Sequence, residues 1–97
     1  MFFKIHHSPG LCDVIAVCDS ELLNTTLKHG DVEVHISDTF YGSTETDEDE
    51  IRKIITGVAN LNLIGKKTIK IAIECGVVEE GTCLMIGDVP HVQVFGN

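Results

Sequence analysis

The chain has 97 residues, 43% of them apolar and 23% charged, which fits one domain with a single core of thin margin. Fifteen acidic residues against seven basic ones leave a net charge of −8, which disfavours a large electrostatic interface with a phosphate backbone. No apolar run approaches the roughly 20 residues that span a bilayer. Residues 1–7 are too short and too polar for a signal peptide, so the expected compartment is the cytoplasm.

In chain order, Phe2-Phe3-Lys4-Ile5-His6 has the aromatic and β-branched content of a first strand. Ser8-Pro9-Gly10 is turn chemistry, and the nearly unbroken apolar run over 13–18 predicts a second strand covered on both faces and paired with the first as a hairpin. Asp19 or Ser20 is placed to cap a short helix running to His29, with Leu23 and Leu27 on one face and Gly30 at its end. Residues 31–36 alternate strictly, which predicts a half-exposed strand with Val32, Val34 and Ile36 inward and Glu33 and His35 toward solvent. Residues 37–46 read as a polar loop. Its adjacent Phe40 and Tyr41 either pin it to the core or form a contact surface.

The acidic stretch 46–50 opens the clearest helix. Ile51, Ile54, Ile55 and Val58 recur at helical spacing, Thr46 or Asp47 caps it, and acids favour a helix's positive end. Residues 60–65 leave that helix. Residues 66–75 fit a helix or a strand by periodicity, with Gly76 favouring a helix. Val77-Val78 begins a short strand, 83–86 forms another, Gly87-Asp88-Val89-Pro90 turns, and 91–95 closes the sheet before Gly96-Asn97 frays. Strands in pairs with helices between them predict an α+β two-layer single domain over 1–97, with a mixed or antiparallel sheet of about five strands and two or three helices.

Each candidate site has a plain structural alternative. His91 follows Pro90 on a stiff turn and could bind a ligand or move a proton, with Asp88 orienting it; the favoured reading is a histidine at a strand start whose ring bonds a backbone carbonyl, the alternative for Asp88 being an Asx-turn. His6 and His7 with Cys12 or Cys18 lack the paired spacing of a zinc site, so no metal or cofactor is expected. Cys12, Cys18, Cys75 and Cys83 include no Cys-x-x-Cys and read as free, mostly buried thiols rather than disulfides. Cys18 at a helix start could be a nucleophile, but neighbouring acids oppose its thiolate. Residues 62–65 with Lys66 and Lys67 could seat a phosphate at a helix N-terminus, without the Gly-rich loop such a site uses.

Four stretches together resemble one family: Val17-Cys18-Asp19-Ser20-Glu21-Leu22-Leu23; Phe40-Tyr41-Gly42; Ala59-Asn60-Leu61-Asn62-Leu63-Ile64-Gly65 with Ala72-Ile73-Glu74-Cys75-Gly76; and Gly87-Asp88-Val89-Pro90-His91-Val92-Gln93. In this order they resemble the archaeal proteins catalogued as domain of unknown function 424, over nearly the whole chain. The resemblance implies a small cytosolic archaeal protein, with translation or RNA as a lead and no activity attached. The acidic composition and the lack of a basic-aromatic strand depart from an RNA-recognition module.

The expectation is a non-enzymatic binding domain with a protein partner, contacting it through Phe40, Tyr41, Pro90, His91 and Gln93. The alternatives are RNA or ribosome association through Lys66, Lys67 and Lys70, and a small hydrolase or transferase using His91 as base with Asp88, Asp38 or Tyr41 nearby.

Overall fold

The computed structural model describes residues 1–7, 9–10 and 12–96. Five strands form one mixed sheet: β1 (Phe2–His6), β2 (Val14–Cys18), β5 (Asn60–Ile64), β6 (Leu84–Ile86) and β7 (Val89–Val94), in the order β1-β2-β5-β7-β6. Only β2 and β5 run parallel. β3 (Thr26–His29) and β4 (Val32–His35) make a separate hairpin, and the helices are α1 (Asp38–Tyr41), α2 (Glu48–Ile55) and α3 (Lys66–Glu74). This is the α+β domain with a five-stranded sheet that the sequence predicts. Among the described residues, no helix is long and apolar enough to cross a membrane.

The period-two alternation of β2 and β5 divides the core. Ile15, Val17, Leu61 and Leu63 face Ile51 and Ile55 of α2 and Ile69 and Ala72 of α3. Ala16, Cys18 and Ile64 face the other way, toward Ile36, Tyr41, Leu27 and Val34. The expected doubly covered strand is thus β2. α2 follows its predicted pattern, with Asp47 capping it by accepting from the Glu50 N–H at 2.9 Å.

Residues 66–75 resolve as helix. α3 ends in a Schellman motif, in which the Gly76 N–H donates to the Ile73 carbonyl and the Val77 N–H to the Ala72 carbonyl. Val77 and Val78 form no strand; Val78 instead plugs the helix-side core. Residues 60–64, expected only to leave α2, are the central strand β5.

The helix expected over 19–29 is not formed. One 3₁₀ turn (Ser20–Leu22) ends at Asn24, whose φ of 63° lies in the left-handed region that Asn tolerates. The Asn24 N–H then donates to the Ile36 carbonyl, the Ile36 N–H to the Thr25 carbonyl, and β-branched Thr26 opens β3. Gly30, expected as a helix cap, is the first residue of the two-residue turn joining β3 to β4, where its φ of 62° meets the need of a primed hairpin turn. Val32 consequently lies exposed at the hairpin tip, while Val34 and Ile36 point inward as predicted.

The C-terminal hairpin turns on Gly87 and Asp88 alone, so Val89 and Pro90 already belong to β7. Pro90 sits at its start, beyond the last residue of β5 opposite β7, where no N–H is needed from it on that side. Pro9 and Gly10 turn as expected, with Ser8 outside the described residues. Gly96, expected to fray, donates to Asn60 Oδ1 at 3.1 Å; Asn97 lies outside the described residues.

Candidate functional site

Cross-strand partners share a face, so register fixes what the second sheet face presents. Asn62 stands opposite Gln93, Ile64 opposite His91, and Leu84 opposite His91 on the far side. The β3–β4 hairpin covers the end of this face carrying Cys18, Ile64, Ile86 and Val89. The other end stays uncovered.

There, α1 rims the opening. Lys4 Nζ donates to the Thr39 carbonyl at 2.8 Å, and His6 Nε2 donates to the Phe40 carbonyl at 2.7 Å. The His6 ring stacks on Phe40 with centroids 4.6 Å apart, and Phe40 meets Tyr41 edge-on at 4.9 Å. The two aromatics therefore divide the roles foreseen for them. Tyr41 is buried and pins α1 to the sheet, whereas Phe40 is 36% exposed at the rim.

Two hollows lie on this face and meet at Gln93 and Phe95. One, about 310 Å³, is lined by His6, Val14, Phe40 and Asn62 besides those two. The other, about 430 Å³, is lined by Thr82, Leu84 and His91 with the same pair. Phe95 is 75% exposed and Leu84 73%. Among the described residues, no carboxylate, lysine or arginine lines either hollow, although the molecule as a whole is acidic.

A short polar chain runs beneath. The Tyr41 hydroxyl donates to Asn62 Oδ1 at 2.8 Å, and His91 Nε2 lies 3.2 Å from the same oxygen. A buried hydroxyl needs an acceptor, which fixes the Asn62 amide with its oxygen toward Tyr41 and makes His91 Nε2 the second donor to it. Burial raises the Tyr41 hydroxyl pKa and lowers that of His91, so the ring favours its neutral form.

His91 therefore leans on an amide and not on a carboxylate. Asp88 is exposed in the β6–β7 turn, beside Asp19, Glu21 and Lys66, and among the described residues no hydrogen bond joins Asp88 or Asp38 to His91. Cys18 is buried on the same sheet face, and burial together with Asp19 pushes its thiol up to about 12, which makes it a poor nucleophile. All four cysteines are free.

Of the residues singled out from sequence, Phe40, Tyr41, His91 and Gln93 gather here. Pro90 points to the opposite face, beside Ile69 and Ile73 of α3. Lys66, Lys67 and Lys70 lie on α3, away from the open face, where Glu48, Arg52, Glu74 and Glu80 share their surroundings. Asn62, His6, Leu84 and Phe95 complete the face; from sequence, His6 is considered only as a metal ligand and Asn62 only beside a phosphate seat, and Leu84 and Phe95 are not singled out. The clue to Asn62 is an amide at a central position of an otherwise apolar Leu-x-Leu-Ile strand.

The helix N-terminus proposed for a phosphate is already filled. Asp19 accepts from the Lys67 N–H (3.0 Å), the Thr68 N–H (2.8 Å) and the Thr68 hydroxyl (2.7 Å). An internal carboxylate thus occupies the seat that an anion would take.

The family described as "Protein of unknown function (DUF424)" matches residues 6–96. A solved structure, the crystal structure of an uncharacterized conserved protein from the archaeon Methanopyrus kandleri, is similar with a TM-score of 0.80 and 27% identity, covering 99% of this chain and 92% of that one. No curated protein matches the chain.

Proposed function

We propose that this chain, which belongs to the DUF424 family, is a non-enzymatic cytoplasmic binding domain whose uncovered sheet face receives a protein partner. One observation carries the reading: a largely apolar face, free of Asp, Glu, Lys and Arg among the described residues that line it, with Phe95 and Leu84 about three-quarters exposed, on a molecule of net charge −8. Large exposed apolar side chains clustered around a hollow mark interaction sites, whereas single ones do not. The rigid floor supports the same reading, since Tyr41, Asn62 and His91 hold one another and need no rearrangement before contact. Four free thiols agree with a reducing compartment.

Catalysis by His91 lacks support, because an imidazole that only donates to an amide has no carboxylate to orient or charge it. RNA association through α3 has less support than the sheet face. Its lysines are interleaved with acids, and its N-terminus is neutralised by Asp19.

A photo-crosslinking residue at Gln93 tests the proposal in native extract. Cross-links to a defined protein are expected from position 93 and not from positions 53 or 70 on the helices. Equal yields from both faces, or cross-links from position 70 alone, would contradict it.

The neutral imidazole gives a pH signature. His91 has a folded pKa below the ordinary value of about 6.5. As pH falls, the unfolded chain takes the proton first, so stability declines through the ordinary imidazole range and levels off below the folded pKa. His91→Gln is expected to flatten that slope relative to the parent, read as urea midpoints at about pH 7.5 and about pH 5.5. Parallel slopes in the two proteins would mean that the ring is not held neutral.

A further inference from the structure

Asn62 is 9% exposed, and both hydrogen bonds that its side chain makes to Tyr41 and His91 end on Oδ1. Its Nδ2, with two N–H groups, has no protein partner among the described residues. Yet no side-chain nitrogen or oxygen sealed from solvent goes unpaired among them. The Nδ2 therefore keeps an outlet, and the opening that Asn62 lines is the 310 Å³ hollow between Phe40 and Phe95. A fixed donor at the base of an apolar hollow is the usual form of a recognition site: apolar walls supply affinity, and a few polar groups set orientation. Its natural complement is a neutral acceptor attached to an apolar body. Gln93, exposed on the wall, adds a second amide able to donate and accept.

We infer that this hollow is the anchor pocket for a partner's peptide segment, taking one large apolar or aromatic side chain between Phe40 and Phe95 and a backbone carbonyl onto Asn62 Nδ2. The segment is neutral or basic at its flanks. Among the described residues, no lysine or arginine lines the hollow to match an acid, and a molecule with fifteen acidic and seven basic residues repels acidic chains on approach. His6, held by its bond to the Phe40 carbonyl, fixes the Phe40 wall by stacking. The inference rests on the protein-binding reading of the same face and adds the chemistry of the segment.

The test is an NMR titration of the ¹⁵N-labelled protein, read at the Asn62 side-chain amide. The probes are N-acetyl-Lys-Phe-Lys-amide, its Glu-Phe-Glu and Lys-Gly-Lys counterparts, and uridine as a planar acceptor of nucleic-acid type. Saturable shifts of the Asn62 and Gln93 amides are expected with Lys-Phe-Lys. Binding should be about tenfold weaker with Glu-Phe-Glu at low salt, absent with Lys-Gly-Lys, and lost with Lys-Phe-Lys in Phe95→Ser. An Asn62 amide that stays silent while Lys-Phe-Lys shifts other residues, or that shifts with no probe, would overturn the inference. So would uridine binding as tightly as Lys-Phe-Lys. A silent Asn62 alongside partner cross-links from position 93 would remove the anchor and leave the protein-binding face standing.

Discussion

Gly65→Ala is expected to cost about 3–5 kcal/mol, one of the largest losses any single methyl could cause in this chain. Gly65 precedes α3 at φ 114°, a conformation that L side chains rarely adopt. A Cβ there would stand 2.5 and 2.7 Å from the two Asp19 carboxylate oxygens. The carboxylate is 2% exposed at the residue level and cannot move without releasing the Lys67 and Thr68 donors into a buried site. A domain of this size has roughly 5–15 kcal/mol in total, so the variant should melt on the order of 15–30 °C lower. Asp19→Ala should destabilise comparably by leaving the same donors unpaired. Asp19→Asn, which keeps one acceptor oxygen, should cost less, about 2–3 kcal/mol. Thermal melts of the three variants check the ordering. A Gly65→Ala protein as stable as the parent would mean that the carboxylate does not fill the end of α3 and would reopen that end to anions.

The same junction explains why part of the fold was legible and part was not. α2 declares itself because its pattern matches one period and no other, and β2 because a short unbroken apolar run of strand length follows turn residues. The 19–29 segment carries helix signals at both ends, Asp19 and Gly30, but both serve other elements. Asp19 caps α3, 48 residues away in the chain, and Gly30 turns a hairpin. Local reading assigns a capping side chain to the nearest helix and has no way to see a distant one. Asn24 and the β-branched Thr25-Thr26 pair carry the turn and strand signal here, which the Leu spacing masks. β5 hid for a related reason. Asn60 and Asn62 are poor strand formers in isolation, and their place in the sheet depends on Gly96, Tyr41 and His91 bonding to them.

For the site, the sequence singled out Phe40, Tyr41, His91 and Gln93 through an aromatic pair and a proline-linked histidine. It could not bring in Asn62, because that requires the β5–β7 register. Nor could it remove Pro90, which differs from His91 only by the alternation of a strand that begins earlier than the turn residues suggest.

Leu84→Ser combined with Phe95→Ser should abolish partner binding while leaving the fold intact. Both side chains are about three-quarters exposed, so little core packing is lost and stability should stay within about 1 kcal/mol of the parent. At an interface both positions become buried apolar contacts, Phe95 where the two hollows meet and Leu84 in the 430 Å³ one. Truncating such anchors typically costs about 2 kcal/mol or more each, so recovery of the partner should fall by at least about tenfold. The matched control is Lys66→Ser with Lys70→Ser on α3, which removes two charges from the opposite face and should leave recovery unchanged.

Quantitative recovery of the protein cross-linked from position 93, compared across the parent, the Leu84/Phe95 pair and the Lys66/Lys70 pair, is the most direct measurement of whether the open sheet face is the binding face. The predicted result is loss with the first pair only, at unchanged melting temperature. Full recovery with the Leu84/Phe95 pair, or loss confined to the lysine pair, would contradict it.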